Sequence, residues 1–175
     1  MADATDNALA QANAQMASVR EMVAALEVDY DRLEELRREA DDHRATVAAY
    51  AEKMDDWQAN ADASEALEEL AELEGAAGDC ESEDDARERI TCDALSVEVR
   101  SDWHSVGGDS EPTEFRIVLC TGGPHVQIVG ELAQGEPSRA WLEYSGWFSG
   151  LAERVNQDGD QDALLTYARQ FFFGE

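Results

Sequence analysis

The 175-residue chain has only one lysine, Lys53, alongside twelve arginines, and these thirteen bases stand against forty acids. The resulting net charge of −27 repels nucleic acid and anionic lipid, and it attracts basic proteins and cations. We therefore expect neither direct binding of DNA or RNA nor binding to a membrane. The scarcity of lysine also fits adaptation to high salt, so a purely solubilising role for the acidity stays open as an alternative.

Paired cysteines and long apolar runs are also missing. Cys80, Cys92 and Cys120 are odd in number and lack the Cys-x-x-Cys spacing, which favours reduced thiols over a disulfide framework or a zinc site. No apolar run reaches the length of about 18 residues that a transmembrane helix needs. The first ten residues lack the basic start and apolar core of a signal peptide. We expect a cytoplasmic protein.

Residues 1–74 contain neither glycine nor proline, and good helix formers dominate them. Apolar residues recur at alternating steps of four and three, which is a heptad seam. The clean part of this seam, predicted to drive self-association, is Val19, Val23, Leu26, Tyr30 and Leu33. We predict helices at about 7–59 and 62–74, with a bend in 58–63. Because a lone helix cannot bury its seam, a coiled-coil dimer is favoured, with antiparallel packing within the chain as the alternative.

The apolar period changes after a glycine-containing linker at 75–81. A short helix capped by Ser82 should turn Ala86 and Ile90 inward, and four strands with a period of two then follow. The strands begin near Leu95, Phe115, His125 and Arg139.

Turns at 121–124 and 134–137 join the later strands, and a last helix is predicted at about 161–172. Sequential strands with short turns indicate an antiparallel sheet that is covered on one face by helix. The predicted fold is therefore α+β, with a coiled-coil-like helical region (1–74) followed by a small four-stranded domain (82–175).

Few residues suggest catalysis. Cys120 and His125 flank a turn and could form a nucleophile and base, and His104 lies in a loop, but a structural role is favoured for each. The run from Asp158 to Asp162 resembles the start of a calcium loop and lacks its closing glutamate. We assign no catalytic, cofactor or metal-binding residue, and we expect a protein that is not an enzyme.

The most acidic segment runs from Asp55 to Asp85 and holds 13 acids and no base. As a continuous helix it would carry one charge per about 3.6 Å, against one per about 1.7 Å in duplex DNA. This density predicts binding to a basic protein, such as one that binds nucleic acid. The predicted partner-binding acids are Asp55, Asp56, Asp62, Glu65, Glu68, Glu69, Glu72 and Glu74. Trp147 and Phe148 are added as loop aromatics, because tryptophan is enriched at binding hot spots.

Several segments resemble an uncharacterised family of small proteins encoded by phages and other mobile elements. They are DYDRLEELRREADD, SVEVRSDWHS, EFRIVLCTGGPHVQIVGEL, PSRAWLEYSGWF and LLTYARQFFFGE. The resemblance extends from about residue 28 to the end and implies a protein that acts on host machinery. Together with the charge, it predicts an inhibitor or nucleic-acid mimic that acts on a basic host defence protein. The alternative is a coiled-coil scaffolding protein of a phage or mobile element.

Overall fold

A computed structural model describes residues 2–53, 56–108, 110–146, 152–155 and 159–174. Within these ranges the chain forms five helices and five strands, and the predicted α+β class is confirmed. The helices are α1 (Ala2–Leu26), α2 (Tyr30–Lys53), α3 (Trp57–Ala77), α4 (Glu83–Asp93) and α5 (Asp160–Ala168). The strands are β1 (Ser96–Arg100), β2 (Glu114–Cys120), β3 (His125–Ala133), β4 (Glu136–Ser145) and β5 (Glu153–Val155).

The contacts divide the chain into two compact units. The first combines Met1–Val23 with Arg87–Glu175 and contains the sheet, and the second is Ala24–Ala86. This division differs from the predicted one at 75–81, because the first 23 residues group with the sheet rather than with the helical segment that follows them.

The prediction of one helix over 7–59 was wrong. The chain leaves the helical conformation after Leu26, and the Asp29 carboxylate caps α2 by accepting a hydrogen bond from the Arg32 amide at 2.9 Å. The bend predicted at 58–63 is not present, because α3 runs without a break from Trp57 to Ala77, and Asp56 caps its start by accepting a hydrogen bond from the Ala59 amide at 3.1 Å. The two capping aspartates were missed because the residues around them all favour helix.

This break also divides the predicted self-association seam between two helices. Val19 and Val23 are buried within the first unit, whereas Leu33 is buried within the second. Leu26 and Tyr30 are partly buried against a small cluster in the second unit. The coiled coil is therefore not confirmed, and the burial of these side chains within one chain favours the alternative of intrachain packing.

The sheet has the order β1-β2-β3-β4-β5 and is antiparallel throughout. The predicted turn between β3 and β4 is confirmed, with Gln134 and Gly135 both at positive φ, 56° and 81°. This conformation matches the twist of a two-residue hairpin. The sequence prediction missed β5, because its three residues are too few to show a period.

The inner face of the sheet carries the apolar core. Its buried members on the central strands include Ile117, Ile128 and Leu142, each with no exposed surface, and α5 packs on β4. The apolar alternation that located the first strand does not bury its apolar side chains. Val97 and Val99 of β1 are 38% and 48% exposed, and Leu95, just before the strand, is 60% exposed.

An ion pair joins α1 to α5 inside the first unit. The Arg20 guanidinium donates to Oδ1 of Asp160 through Nε, at 3.1 Å, and through a terminal nitrogen. The two side chains differ in burial, because Asp160 is 5% exposed and Arg20 is 45% exposed. Within the described part of the chain, Oδ2 of Asp160 has no hydrogen-bond partner. Asp160 therefore needs the ion pair to offset the burial of its charge, whereas the half-exposed Arg20 can also be solvated by water.

Replacing Arg20 with methionine is expected to lower the free energy of unfolding by about 3 kcal/mol, because a buried carboxylate loses its cation. Asp160→Asn should cost only about 1 kcal/mol, since the half-exposed guanidinium can turn to water. Urea unfolding followed by circular dichroism measures both values. A larger loss for Asp160→Asn than for Arg20→Met would contradict this asymmetry.

Candidate functional site

The most acidic described surface lies on the hairpin of α2 and α3. The two helices pack through an apolar cluster that includes Leu33, Leu36, Ala40, Leu70 and Ala77, all at most 4% exposed. The side of α3 that packs on α2 consists of small and apolar residues, and the helix contains no lysine or arginine. Its acids therefore lie on the remaining sides of the helix.

Two of the predicted partner-binding acids form ion pairs between the two helices of the hairpin. Glu69 accepts two hydrogen bonds from the Arg32 guanidinium, at 3.0 Å and 2.7 Å, and Glu74 accepts one from Arg37 at 3.1 Å. The hydrogen bonds from Arg32 lower the pKa of Glu69, so this carboxylate is charged but neutralised by its partner. We therefore remove Glu69 and Glu74 from the candidate surface.

Three other acids form what we call the acidic face: Glu65, Glu68 and Glu72. Steps of three and four residues place them on one side of α3, and each is exposed. Among the described residues, none of the three has a hydrogen bond or an ion pair. Exposed Ala71 and Gly75 lie beside them along the helix, so the carboxylates project from a surface of small side chains.

The exposed side of α2 is built differently. Its acids alternate with arginines, and Arg32 pairs with Glu35 and Arg44 with Asp41 at 2.7 Å and 3.0 Å. Surface pairs of this kind contribute little stability, but they lower the local excess of negative charge. The unbalanced charge of the hairpin is therefore concentrated on α3.

The remaining predicted residues have different outcomes. Asp56 caps α3, and exposed Asp62 accepts a hydrogen bond from the Gln58 amide at 2.8 Å, so Asp62 lies at the margin of the acidic face. Asp55, Trp147 and Phe148 lie outside the described residues, and their assignment stays a prediction.

A second surface, the outer sheet face, was not anticipated. Four arginines on it lie directly opposite glutamates of neighbouring strands, forming the pairs Arg100–Glu114, Arg116–Glu98, Arg139–Glu131 and Arg154–Glu143. Cross-strand pairs of opposite sign stabilise a sheet. The charges alternating with apolar residues in β1 and β2 were the sequence signal for this arrangement.

Trp141 lies at one side of the outer sheet face. The Arg154 guanidinium lies 4.0 Å from its ring centroid, and its indole Nε1 donates to Glu143 at 2.7 Å. The face encloses a shallow concavity of about 770 Å³. Because each of its four arginines already has a carboxylate partner, the surface is close to neutral and less suited than the acidic face to attract a charged partner.

The candidate nucleophile and base are engaged separately. The Cys120 thiol donates to the Pro124 carbonyl at 3.4 Å, and the His125 ring contacts the Gln127 amide oxygen at 3.0 Å. His104 lies in an exposed loop, where Nδ1 contacts the Asp102 carbonyl at 3.2 Å. These contacts describe local structure and do not assemble a general base beside a thiol.

A strongly raised pKa belongs to a buried structural residue, Tyr167. Burial raises the pKa of Tyr167, and its hydroxyl donates to Asp93 at 2.8 Å inside the first unit. This tyrosine has no exposed surface, so it has no access to a substrate.

Comparison with known proteins gave no match among family models, curated proteins or solved structures. In the part of the chain that the structure describes, no helix combines the length and apolar character needed to cross a membrane. The same residues include no group of three or more histidine, cysteine or acidic side chains placed to hold a metal ion.

Proposed function

We propose that the protein is a non-enzymatic binding protein whose acidic face docks on a basic surface of another protein. One observation carries this proposal: Glu65, Glu68 and Glu72 are exposed on one side of α3 and have no cationic partner among the described residues. On α2, by contrast, arginines are interspersed among the acids and pair with several acids of the hairpin, whereas α3 contains no base. Carboxylates without cations nearby are available to arginine or lysine side chains of a partner.

The spacing of the acidic face suggests the kind of surface it fits. Glu65 and Glu72 are seven residues apart, or about 10 Å along the helix, which gives one carboxylate per about 5 Å. One strand of duplex DNA carries one phosphate per about 3.4 Å. The acidic face is sparser than one DNA strand, so we propose a partner that presents a row of separate basic side chains.

A nucleic-acid-binding protein is the partner class that we propose, because such proteins present clusters of arginine and lysine. The resemblance to proteins of phages and mobile elements supports a host defence protein as the particular target. In this proposal the chain acts as an inhibitor that occupies the nucleic-acid site of its target.

The test is affinity purification from the native host with the full chain as bait. We expect a basic partner that is released by added salt and by duplex DNA, because both compete for the same charges. A partner that DNA cannot displace would rule out occupation of a nucleic-acid site. If the acidity serves only solubility in high salt, we expect no partner, and loss of acids should instead reduce solubility in concentrated salt.

A further inference from the structure

Strand β1 is one of the two edge strands of the sheet, and among the described residues it pairs with β2 alone. All of Val97, Glu98, Val99 and Arg100 are exposed. An open edge presents unpaired backbone groups that can accept another strand. Natural edges are often protected by proline, by charged side chains such as lysine, or by an inward-pointing charge. Strand β1, with the sequence Ser-Val-Glu-Val-Arg, has neither proline nor lysine, and its two charges, of opposite sign, lie on the outer sheet face.

The exposed apolar side chains of this edge lie on the inner side of the sheet. Val97 and Val99 are opposite the buried Ile117 and Phe115 in the register of β1 and β2, so they extend the apolar core to the edge. Such a row of apolar side chains is stabilised when a neighbouring strand covers it.

We propose that β1 pairs antiparallel with β1 of a second copy of this chain, about a two-fold axis at Val99. The charges of β1 indicate that a second copy of the same strand fits this edge. In this register Val99 lies opposite Val99 of the second copy, and Glu98 lies opposite Arg100 of the second copy. The two-fold axis generates the reciprocal Arg100–Glu98 pair, so the edge is complementary to itself.

Neighbouring registers lack this complementarity. An axis at Glu98 places two Glu98 carboxylates directly opposite each other, which is repulsive. An axis at Val97 leaves Glu98 opposite Ser96 and Arg100 opposite Ala94, without ion pairs. The charges of β1 therefore select a single register.

The proposed pairing also continues the pattern of the outer sheet face. Within one chain Arg100 pairs with Glu114, and Glu98 pairs with Arg116. Across the axis, the row reads Glu114–Arg100 in one copy followed by Glu98–Arg116 in the other. Signs alternate along four consecutive strands, so each of the two central side chains has an opposite charge on both sides.

Exposed apolar side chains also flank β1: Leu95 precedes the strand, and Trp103 follows it. In the proposed dimer these side chains add apolar surface beside Val97 and Val99.

Disulfide trapping tests the register. In a chain whose exposed Cys92 is replaced with serine, Val99→Cys should give a covalent dimer on mild oxidation, because facing Cα atoms in an antiparallel pair are about 5 Å apart. Val97→Cys is the matched control, since its two copies would lie about 13 Å apart along the strands. A covalent dimer of the Val99→Cys variant alone supports the proposal. Trapping of both variants, of neither, or of the Val97→Cys variant alone overturns it.

Charge reversal tests the complementarity in solution. The parent chain should elute at twice the 19.3 kDa mass of one chain in gel filtration with light scattering. Glu98→Arg and Arg100→Glu should each weaken this dimer at least about tenfold, because like charges then face each other. An equimolar mixture of the two variants should restore a dimer, since an all-arginine edge then meets an all-glutamate edge.

Three results would overturn the proposal: a monomeric parent at every concentration, reversals that leave the dimer intact, or a mixture that stays monomeric. Circular dichroism establishes that each variant is folded before its mass is interpreted. A dimer that persists in both variants would place the contact on a surface other than β1.

Discussion

Replacing Gly130 with alanine is expected to lower the free energy of unfolding by about 3 kcal/mol or more. Gly130 lies on the central strand β3, opposite Phe115 of β2 and Ala140 of β4. A Cβ atom at this position would overlap the Arg139 carbonyl oxygen and the Phe115 ring. The carbonyl belongs to the sheet backbone and cannot move cheaply, and forced overlap in a packed core costs about 1–3 kcal/mol or more.

Displacement of the Phe115 ring would also disturb the side chains packed against it. Phe115 packs on Phe173, with ring centroids 4.7 Å apart, so moving Phe115 also disturbs the segment that follows α5. Gly75→Ala is the matched control, because the added methyl group would meet no atom within 4 Å beyond its chain neighbours and the backbone of its own helix. In the interior of α3 it should raise stability by about 0.5–1 kcal/mol. Thermal and urea unfolding of the two variants should therefore differ in sign, and equal effects would contradict this description of the sheet.

Replacing Glu65, Glu68 and Glu72 together with glutamine is expected to weaken partner binding by at least about a hundredfold. Each charged hydrogen bond to a partner base contributes about 1 kcal/mol or more, and a total of about 3 kcal/mol corresponds to more than a hundredfold in Kd. Glutamine has nearly the same shape and helix propensity as glutamate, so the hairpin should remain folded. Titration calorimetry with the purified partner measures the change.

The matched control removes three charges from the other helix of the hairpin. Asp31, Glu34 and Asp42 are exposed on α2 and, within the described residues, have no side-chain partner. Changing them to Asn, Gln and Asn lowers the net charge equally, so general attraction between an acidic protein and a basic one falls equally in both variants. Equal losses of affinity in the two triple variants would show that only total charge matters and would refute a localised site.

The sequence predicted elements with a regular period and missed features that depend on a single residue. Strands β2, β3 and β4 were located because apolar residues alternate along them. The break after Leu26 was missed because Asp29, its capping residue, is one acid among many in an acidic helical segment. The short strand β5 was missed because Glu153–Val155 is shorter than the pattern that identifies a strand.

The candidate site was predicted in the same uneven way. Charge counting located the acidic segment, yet it could not separate Glu69 and Glu74, which pair with arginines of α2, from the exposed Glu65 and Glu68. That distinction depends on which arginine of a distant helix reaches which carboxylate. The exposure of Val97 and Val99 was also hidden, because alternation identifies the face of a strand but not whether a neighbour covers it.

Carboxylate labelling of the free chain and of its complex shows directly whether the acidic face of α3 is the surface that binds the partner. Carbodiimide coupling of an amine to exposed carboxyl groups, read by peptide mass spectrometry, reports the accessibility of each acid. We expect Glu65, Glu68 and Glu72 to be labelled in the free protein and protected in the complex. Asp31, Glu34 and Asp42 should be labelled equally in both states. Unchanged labelling of the acidic face on partner binding, or protection of the α2 acids instead, would contradict the claim that α3 presents the binding surface.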